Sequence, residues 1–139
     1  MYTILVAIDG SECSQRAVRY AARRAKETSC KVDLLHVEKP VMAWEIGAVS
    51  SLEDVTAVRE GESRKLLEAA VGEFGPTAVV DKLVVSGEAA ATILEQADRR
   101  GVDEIVMGSR GMRPLGAAML GSVAYKVLHE AKVAVVVVR

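Results

Sequence analysis

The sequence predicts an α/β protein built on a doubly wound parallel sheet. Three observations predict it. Half of the 139 residues are hydrophobic but only 4% are aromatic, so the apolar mass is Val, Ala, Leu and Ile, the usual filling of a parallel sheet covered by helices. The short apolar runs are apolar on both faces, as strands buried on both sides must be. These runs also alternate with segments of helical period, and alternation of that kind implies a parallel sheet with right-handed crossovers. The length fits a single domain spanning 1–139.

The elements follow in order. Residues 2–8 (YTILVAI) form strand 1, closed by Asp9-Gly10-Ser11. Ser11 or Ser14 can cap a helix to about Thr28 with Ala17, Tyr20, Ala21 and Ala25 on one stripe. Val32–Val37 is strand 2, and Pro40 breaks into an aperiodic stretch, 41–50, that holds Trp44. Ser51-Leu-Glu-Asp54 resembles a capping box and opens a long helix, whose predicted buried stripe is Leu52, Val55, Leu66, Ala70 and Phe74. Gly75-Pro76 stops that helix. Residues 78–85 form strand 3. Ser86 can cap a short helix bearing Ala90, Ile93, Leu94 and Ala97, ended by Gly101. Asp103–Met107 is strand 4. A glycine-rich stretch, 108–121, leads to a last helix at 122–130 with Val123, Val127 and Leu128, and the chain finishes on strand 5, 133–138.

Composition removes several classes of function. The formal net charge is −1, which argues against a general nucleic-acid binder, since that needs a basic field to displace counterions. No apolar run approaches the ~20 residues of a membrane helix, and residues 1–11 carry no basic n-region or cleavage site. The expectation is a cytoplasmic protein with no nucleic-acid or membrane partner. Cys13 and Cys30 lie seventeen positions apart at the two ends of the first helix, roughly 25 Å at 1.5 Å per residue; a disulfide tolerates ~7 Å, so both are expected as thiols. His36 and His129 have no ligand spacing around them and are expected as ordinary imidazoles. Arg23-Arg24 and Arg99-Arg100 read as solvated helix faces near C-termini.

In doubly wound sheets ligands sit beyond the carboxyl ends of the strands, where the winding reverses. That edge holds segments 9–11, 38–51, 85–88 and 108–122. The last is the most informative: Gly108-Ser109-Arg110-Gly111, nine residues, then Gly121-Ser122. It follows a strand and opens a helix, a context that offers an anion free backbone N–H groups and the positive end of the helix dipole. Gly108 and Gly111 are expected to supply positive φ for an anion nest, with Arg110 as a cation and Ser122 as a hydroxyl donor. Other phosphate motifs fail. Gly116-Ala-Ala-Met-Leu-Gly121-Ser122 begins like a P-loop, but Ser122 stands where the lysine should be. No G-x-G-x-x-G follows strand 1. A receiver domain would need an Asp after strand 3 and a Lys after strand 5, where this chain has Val85-Ser86 and Arg139. No catalytic elbow, zinc helix or paired carboxylates appear, and no catalytic residue is assigned.

Gly108-x2-Gly111-x9-Gly121-Ser122, with Ala7-Ile8-Asp9-Gly10-Ser11 closing strand 1, resembles the universal stress protein family over essentially the whole chain. The glycine spacing is similar to that of the family's ATP-binding branch. The resemblance implies strand order 3-2-1-4-5, a homodimer and an ATP across the strand edge. It implies that Ala7, Ile8, Asp9 and Val37 line the adenosine half. Met107 and Gly108 would follow at the ribose side, and Arg110, Gly111, Gly121, Ser122 and Val123 would hold the phosphates. One departure stands out: Lys132-Val133 replaces the Pro-Val that relatives usually carry before the last strand.

Asp9 is expected at the ligand, through ribose hydroxyls or a Mg²⁺, with capping of the first helix as the alternative. Trp44 either covers the adenine or covers the core. The expected function is a nucleotide-dependent regulatory dimer that binds ATP with slow turnover or none. The alternatives are a slow ATPase, self-phosphorylation on Ser109 or Ser122, and cyclic AMP as the ligand. Strand 5, apolar on both faces with no internal charge or proline, is an open edge and is expected to pair with its copy about a two-fold axis.

Overall fold

The computed structural model describes residues 1–47, 51–112, 116 and 118–139. Along the chain come β1 (Thr3–Ile8), α1 (Glu12–Thr28), β2 (Lys31–Glu38), a 3₁₀ turn (Ala43–Glu45), α2 (Leu52–Val71), β3 (Val79–Ser86), α3 (Ala89–Arg100), β4 (Glu104–Gly108), α4 (Ser122–Glu130) and β5 (Ala134–Val138). The five strands form one parallel sheet in the order β3-β2-β1-β4-β5.

The pleat sorts β1 between two cores. Ile4, Val6 and Ile8 face one layer with Ala17, Val18 and Ala21 of α1 and Leu67 and Ala70 of α2. Leu5 faces the other with Ala90, Ile93 and Ala97 of α3 and Ala124 and Val127 of α4. Successive side chains alternate sides, so a strand with cores on both faces must be apolar throughout. The winding runs outward from β1 to β2 and β3, then returns to β4 on the other side of β1. The reversal lies between β1 and β4.

Local chemistry sets the helix limits. The Ser11 hydroxyl accepts from the Ser14 N–H at 3.2 Å and caps α1, which ends at Ser29 in the left-handed region. Ser51 and Asp54 exchange hydrogen bonds across the start of α2, the capping box expected there. α3 closes on Gly101 at φ +60°. β5 runs in regular register with β4 from Glu104–Ala134 to Gly108–Val138, so Lys132-Val133 leads into it without disturbing the pairing.

Several expectations are corrected. The cap of α3 is Glu88, whose carboxylate accepts from the Ala90 and Ala91 N–H groups; Ser86 is the last residue of β3. The buried stripe of α2 is Ser63, Leu67 and Ala70, while Leu52 is exposed and Leu66 and Phe74 pack only partly against the core. Leu128 is exposed. Arg100 is not a solvated cation: its Nε donates to Asp33 at 2.6 Å. Asp33 is 1% exposed, and Lys31 Nζ lies 3.2 Å from it. Lys31 and Arg100 also reach Asp81, at 2.8 and 3.2 Å. Arg24 likewise turns towards Glu104, a buried carboxylate that accepts from the Tyr2 hydroxyl. A buried carboxylate needs such partners, because the uncompensated charge would cost several kcal/mol.

Candidate functional site

The carboxyl ends of β1 and β4 bring two loops into contact. Gly10, at φ +86°, turns the chain so that the Ser11 N–H and hydroxyl both donate to Asp9 Oδ1, at 2.9 and 2.5 Å. The Asp9 N–H donates to Ser14 Oγ at 3.1 Å. Asp9 thus braces the start of α1 with one carboxylate oxygen. The other faces the second loop: a Cβ on Gly111 would stand 2.9 Å from Asp9 Oδ2. The Ser11 hydroxyl lies 3.4 Å from the Arg110 carbonyl.

The glycines are needed for closeness and not, as expected, for positive φ. The positive-φ glycines among the described residues are Gly10, Gly87 and Gly101. At Gly108 a Cβ would meet Cys13 Cβ at 2.7 Å, the Cys13 carbonyl carbon at 2.8 Å and the Ser14 nitrogen at 2.9 Å. A side chain there would push the end of β4 off α1. At Gly121 a Cβ would meet the Ser109 carbonyl at 3.3 Å and Arg110 Cα at 3.4 Å. The Gly121 N–H donates to that carbonyl at 2.7 Å, and the Ser109 N–H donates to the Val138 carbonyl at 2.7 Å. The start of α4 is therefore held against Ser109–Gly111.

That start differs from the other three. Ser11, Ser51 and Glu88 cap α1, α2 and α3 with side-chain oxygens. Gly121 precedes α4, and no side chain caps it. The first N–H groups of a helix have no intrahelical acceptor and lie at the positive end of its dipole. Among the described residues, α4 alone presents them without a side-chain acceptor, beside an exposed Ser122 hydroxyl.

Beneath the loops lies a polar cluster not anticipated from the sequence. Cys13 is buried, with the Ser109 hydroxyl, Arg110 Nη2 and Arg16 Nη1 each 3.9 Å from its sulfur. Burial pushes this thiol up, but hydrogen bonds from Ser109 and Arg110 together outweigh it and hold the thiol below its usual value. The signal was latent in a cysteine two residues past Ser11, but the contact depends on Gly108 lying against it. His36 is satisfied, as expected, with Nδ1 2.8 Å from the Ile8 carbonyl. Both cysteines are free thiols.

The remaining expected residues divide. Asp9, Arg110, Gly111, Gly121 and Ser122 come together at the two loops. Ala7 and Ile8 end β1, and Met107 and Gly108 end β4, but the side chains of Ile8 and Met107 belong to the two cores. They can offer only backbone to a ligand. Val37 lies on β2, two strands from β4, about 10 Å along the edge. Val123 sits in the first turn of α4. Trp44 does not cover the core; it is 78% exposed. Part of its stretch, 48–50, lies outside the described residues, as do 113–115 and 117 of the glycine loop.

Comparison with known proteins identifies the fold and the family. A relative, the universal stress protein YxiE of Bacillus subtilis, is 35% identical over 98% of this chain and 97% of its own length. The solved structure of the protein MJ0577 superposes with a TM-score of 0.83 at 28% identity, covering 99% of this chain and 94% of that one. The same fold appears, at a TM-score of 0.71, in the Archaeoglobus fulgidus universal stress protein solved with dAMP, at 24% identity over 100% of this chain and 98% of that one. It appears again, at TM-scores of 0.71, in a universal stress protein solved with cAMP (23% identity, 99% and 97% covered) and in an Arabidopsis thaliana member with AMP bound (21% identity, 99% and 91% covered). The family model for universal stress proteins matches residues 1–139. The sheet order and the match over the whole chain have one explanation in descent: the chain belongs to the universal stress protein family.

Proposed function

We propose that this chain, as a single domain, is a nucleotide-dependent regulatory protein that binds ATP across the ends of β1 and β4. The uncapped start of α4, set against Ser109–Gly111, carries the reading: it is a built anion site, and phosphate is the anion such sites hold. Gly111, Ser122 and Val123 supply N–H groups to the phosphates, Gly121 lets them approach its backbone closely, and Arg110 is the cation. Ala7, Ile8, Asp9 and Val37 border the adenosine, and Met107 and Gly108 the ribose. Asp9 Oδ2, the oxygen Ser11 leaves, would take the ribose hydroxyls or a Mg²⁺ brought by the phosphates. The family members solved with dAMP, cAMP and AMP support an adenine nucleotide. The open outer edge of β5 supports a homodimer through 133–138. No helix among the described residues is long and apolar enough to cross a membrane, which fits the cytoplasmic location we propose.

Mass spectrometry of small molecules released from freshly purified, denatured protein tests the reading. Melting of the emptied protein with ATP, ADP and cyclic AMP complements it: a ligand at ~100 times its Kd adds about 2.7 kcal/mol, several degrees in Tm for a domain of this size. No released nucleotide and no shift with any of the three would refute it. Cyclic AMP remains the alternative ligand, since one phosphate can sit where three do.

A second reading, self-phosphorylation, is favoured at one residue by exposure. Ser109 is buried, whereas Ser122 is exposed at the helix start. Single-turnover assays with γ-labelled ATP separate binding from slow hydrolysis and from label retained on Ser122.

A further inference from the structure

The first three turns of α2 contribute no buried side chain to the core. From Leu52 to Glu62 no side chain is buried; burial begins at Ser63. The turns are nonetheless well made, with a reciprocal cap at Ser51 and Asp54. Their apolar side chains remain in water: Leu52 is 55% and Val58 62% exposed, with Val55 half-buried between them. The 3₁₀ turn opposite adds Trp44 and Met42, the latter 52% exposed. Arg59 ties that turn to α2 through Nη2 to Glu45 Oε1 at 2.6 Å and through Nη1 to the Lys39 carbonyl. Between turn and helix lies a cleft of about 410 Å³ lined by Glu45, Asp54, Val55, Val58, Arg59 and Glu62.

Exposed apolar groups gathered at one place mark interaction sites, and Trp is the commonest anchor of such sites. The rim says what fits. Residues 43–47 and 51–62 carry five carboxylates and one arginine, a net −4 against −1 for the whole chain, and that arginine is paired with Glu45. We propose that this cleft docks a basic amphipathic segment of a protein partner. Its apolar side chains, at helical spacing, would cover Trp44, Val55 and Val58, and its Lys and Arg side chains would meet Asp54 and Glu62. An anionic bilayer or a nucleic acid is repelled by the same charge. α2 packs against β2 and β3, away from the β5 edge, so occupant and β5 pairing do not compete. The proposal is independent of the nucleotide reading.

Trp44 is the sole tryptophan of the chain and so reports on its own cleft. The probe is a tryptophan-free amphipathic peptide of ~14 residues built from Leu and Lys at helical spacing, titrated into the full chain. The expected result is a saturable blue shift of Trp44 emission. Val58→Asp and Glu62→Lys, both on exposed helix positions, should each weaken binding about tenfold, as loss of an anchor or a rim charge does, while the melting of the free protein is unchanged. Glu62→Lys should also gain response to the Leu/Glu peptide of the same pattern. The proposal is overturned by no shift at ~100 μM peptide, which corresponds to less than about 5.5 kcal/mol of affinity. It is overturned equally by wild-type responses to the Leu/Glu peptide or to phosphatidylglycerol vesicles that match the Leu/Lys response. A blue shift that grows with protein concentration alone would assign the cleft to a second copy of the chain and also overturn it. Unchanged affinity in both variants would place the peptide elsewhere.

Discussion

Gly108→Ala tests how the site is assembled. Gly108 does not lie at positive φ, so alanine meets no backbone obstacle there. The entire penalty is contact: the added methyl would stand 2.7, 2.8 and 2.9 Å from Cys13 Cβ, Cys13 C and Ser14 N. None of these is the far end of a flexible side chain. All three belong to the first turn of α1, which Ser11 and Asp9 pin in place. Overpacking of this kind typically costs 1–3 kcal/mol, offset by about 0.4–1 kcal/mol because alanine restricts the unfolded chain. The net expectation is a loss of about 1–2 kcal/mol. At roughly 4 °C per kcal/mol for a chain of this length, Tm falls by about 4–8 °C. Calorimetry of the nucleotide-free protein measures it. Gly116→Ala is the control, since a Cβ there meets nothing within 4 Å, and it should leave Tm within about a degree or two. If Gly108→Ala melts with the wild type or above it, the close seating of β4 on α1 is not what the glycine secures.

Four further outcomes are expected. Gly61→Ala, in the interior of α2 with open space around it, should raise stability by about 0.5–1 kcal/mol in chemical denaturation. Gly121→Val should abolish the thermal shift with ATP while the protein stays folded, because the branched side chain meets the Ser109 carbonyl and the path of the phosphates; undiminished ATP affinity would move the phosphates elsewhere. Lys31 holds the Asp81 carboxyl below its usual range and is itself raised, chiefly by Asp81 and then Asp33. Asp81 therefore contributes stability above its unfolded pKa of about 3.9 that is lost as pH falls through the lower folded value. Lys31 contributes stability below about pH 10.4 that is lost as pH rises through its raised value. Denaturation from pH 2 to 11 should show both losses shrink in Asp81→Asn, modestly because Asp81 is half-exposed. Val136→Pro, which removes a ladder donor from β5, should convert a dimer seen by light scattering to monomer or aggregate; a wild type that is monomeric at ~100 μM would refute the edge pairing.

The strands were legible because burial on both faces leaves an unmistakable mark: β1 and β4 read as apolar runs, and β2 as one broken at Asp33 and His36. The α1 cap was legible because Ser11 acts locally. What failed was non-local. Asp33 interrupts an apolar strand, and nothing near it in sequence reveals that Arg100, sixty-seven positions on, will bond it. Glu88 took the α3 cap from Ser86 because β3 runs one residue further than the apolar pattern does and takes Ser86 into the strand. The stripe of α2 slipped because helical period identifies a face without saying how much of it the sheet can reach; the sheet covers only the second half. The glycine spacing picked out residues that the fold gathers at one edge of the sheet, but the reason for Gly108 is a neighbour ninety-five positions earlier, visible only once β4 lies beside α1.

The two short bonds at the foot of the glycine loop, Gly121 N–H to Ser109 and Ser109 N–H to Val138, make the intervening chain a tied-off ring. Its base is fixed by β4, β5 and α4. Closing such a ring costs only about 0.6 kcal/mol more for each doubling of length. Residues inserted at Gly116, which is exposed and whose Cβ would meet no atom of the described residues within 4 Å, should leave Ser109, Arg110 and Gly121 where they are. The loop is therefore a place where a lineage can write a new recognition surface without redrafting the site beneath it.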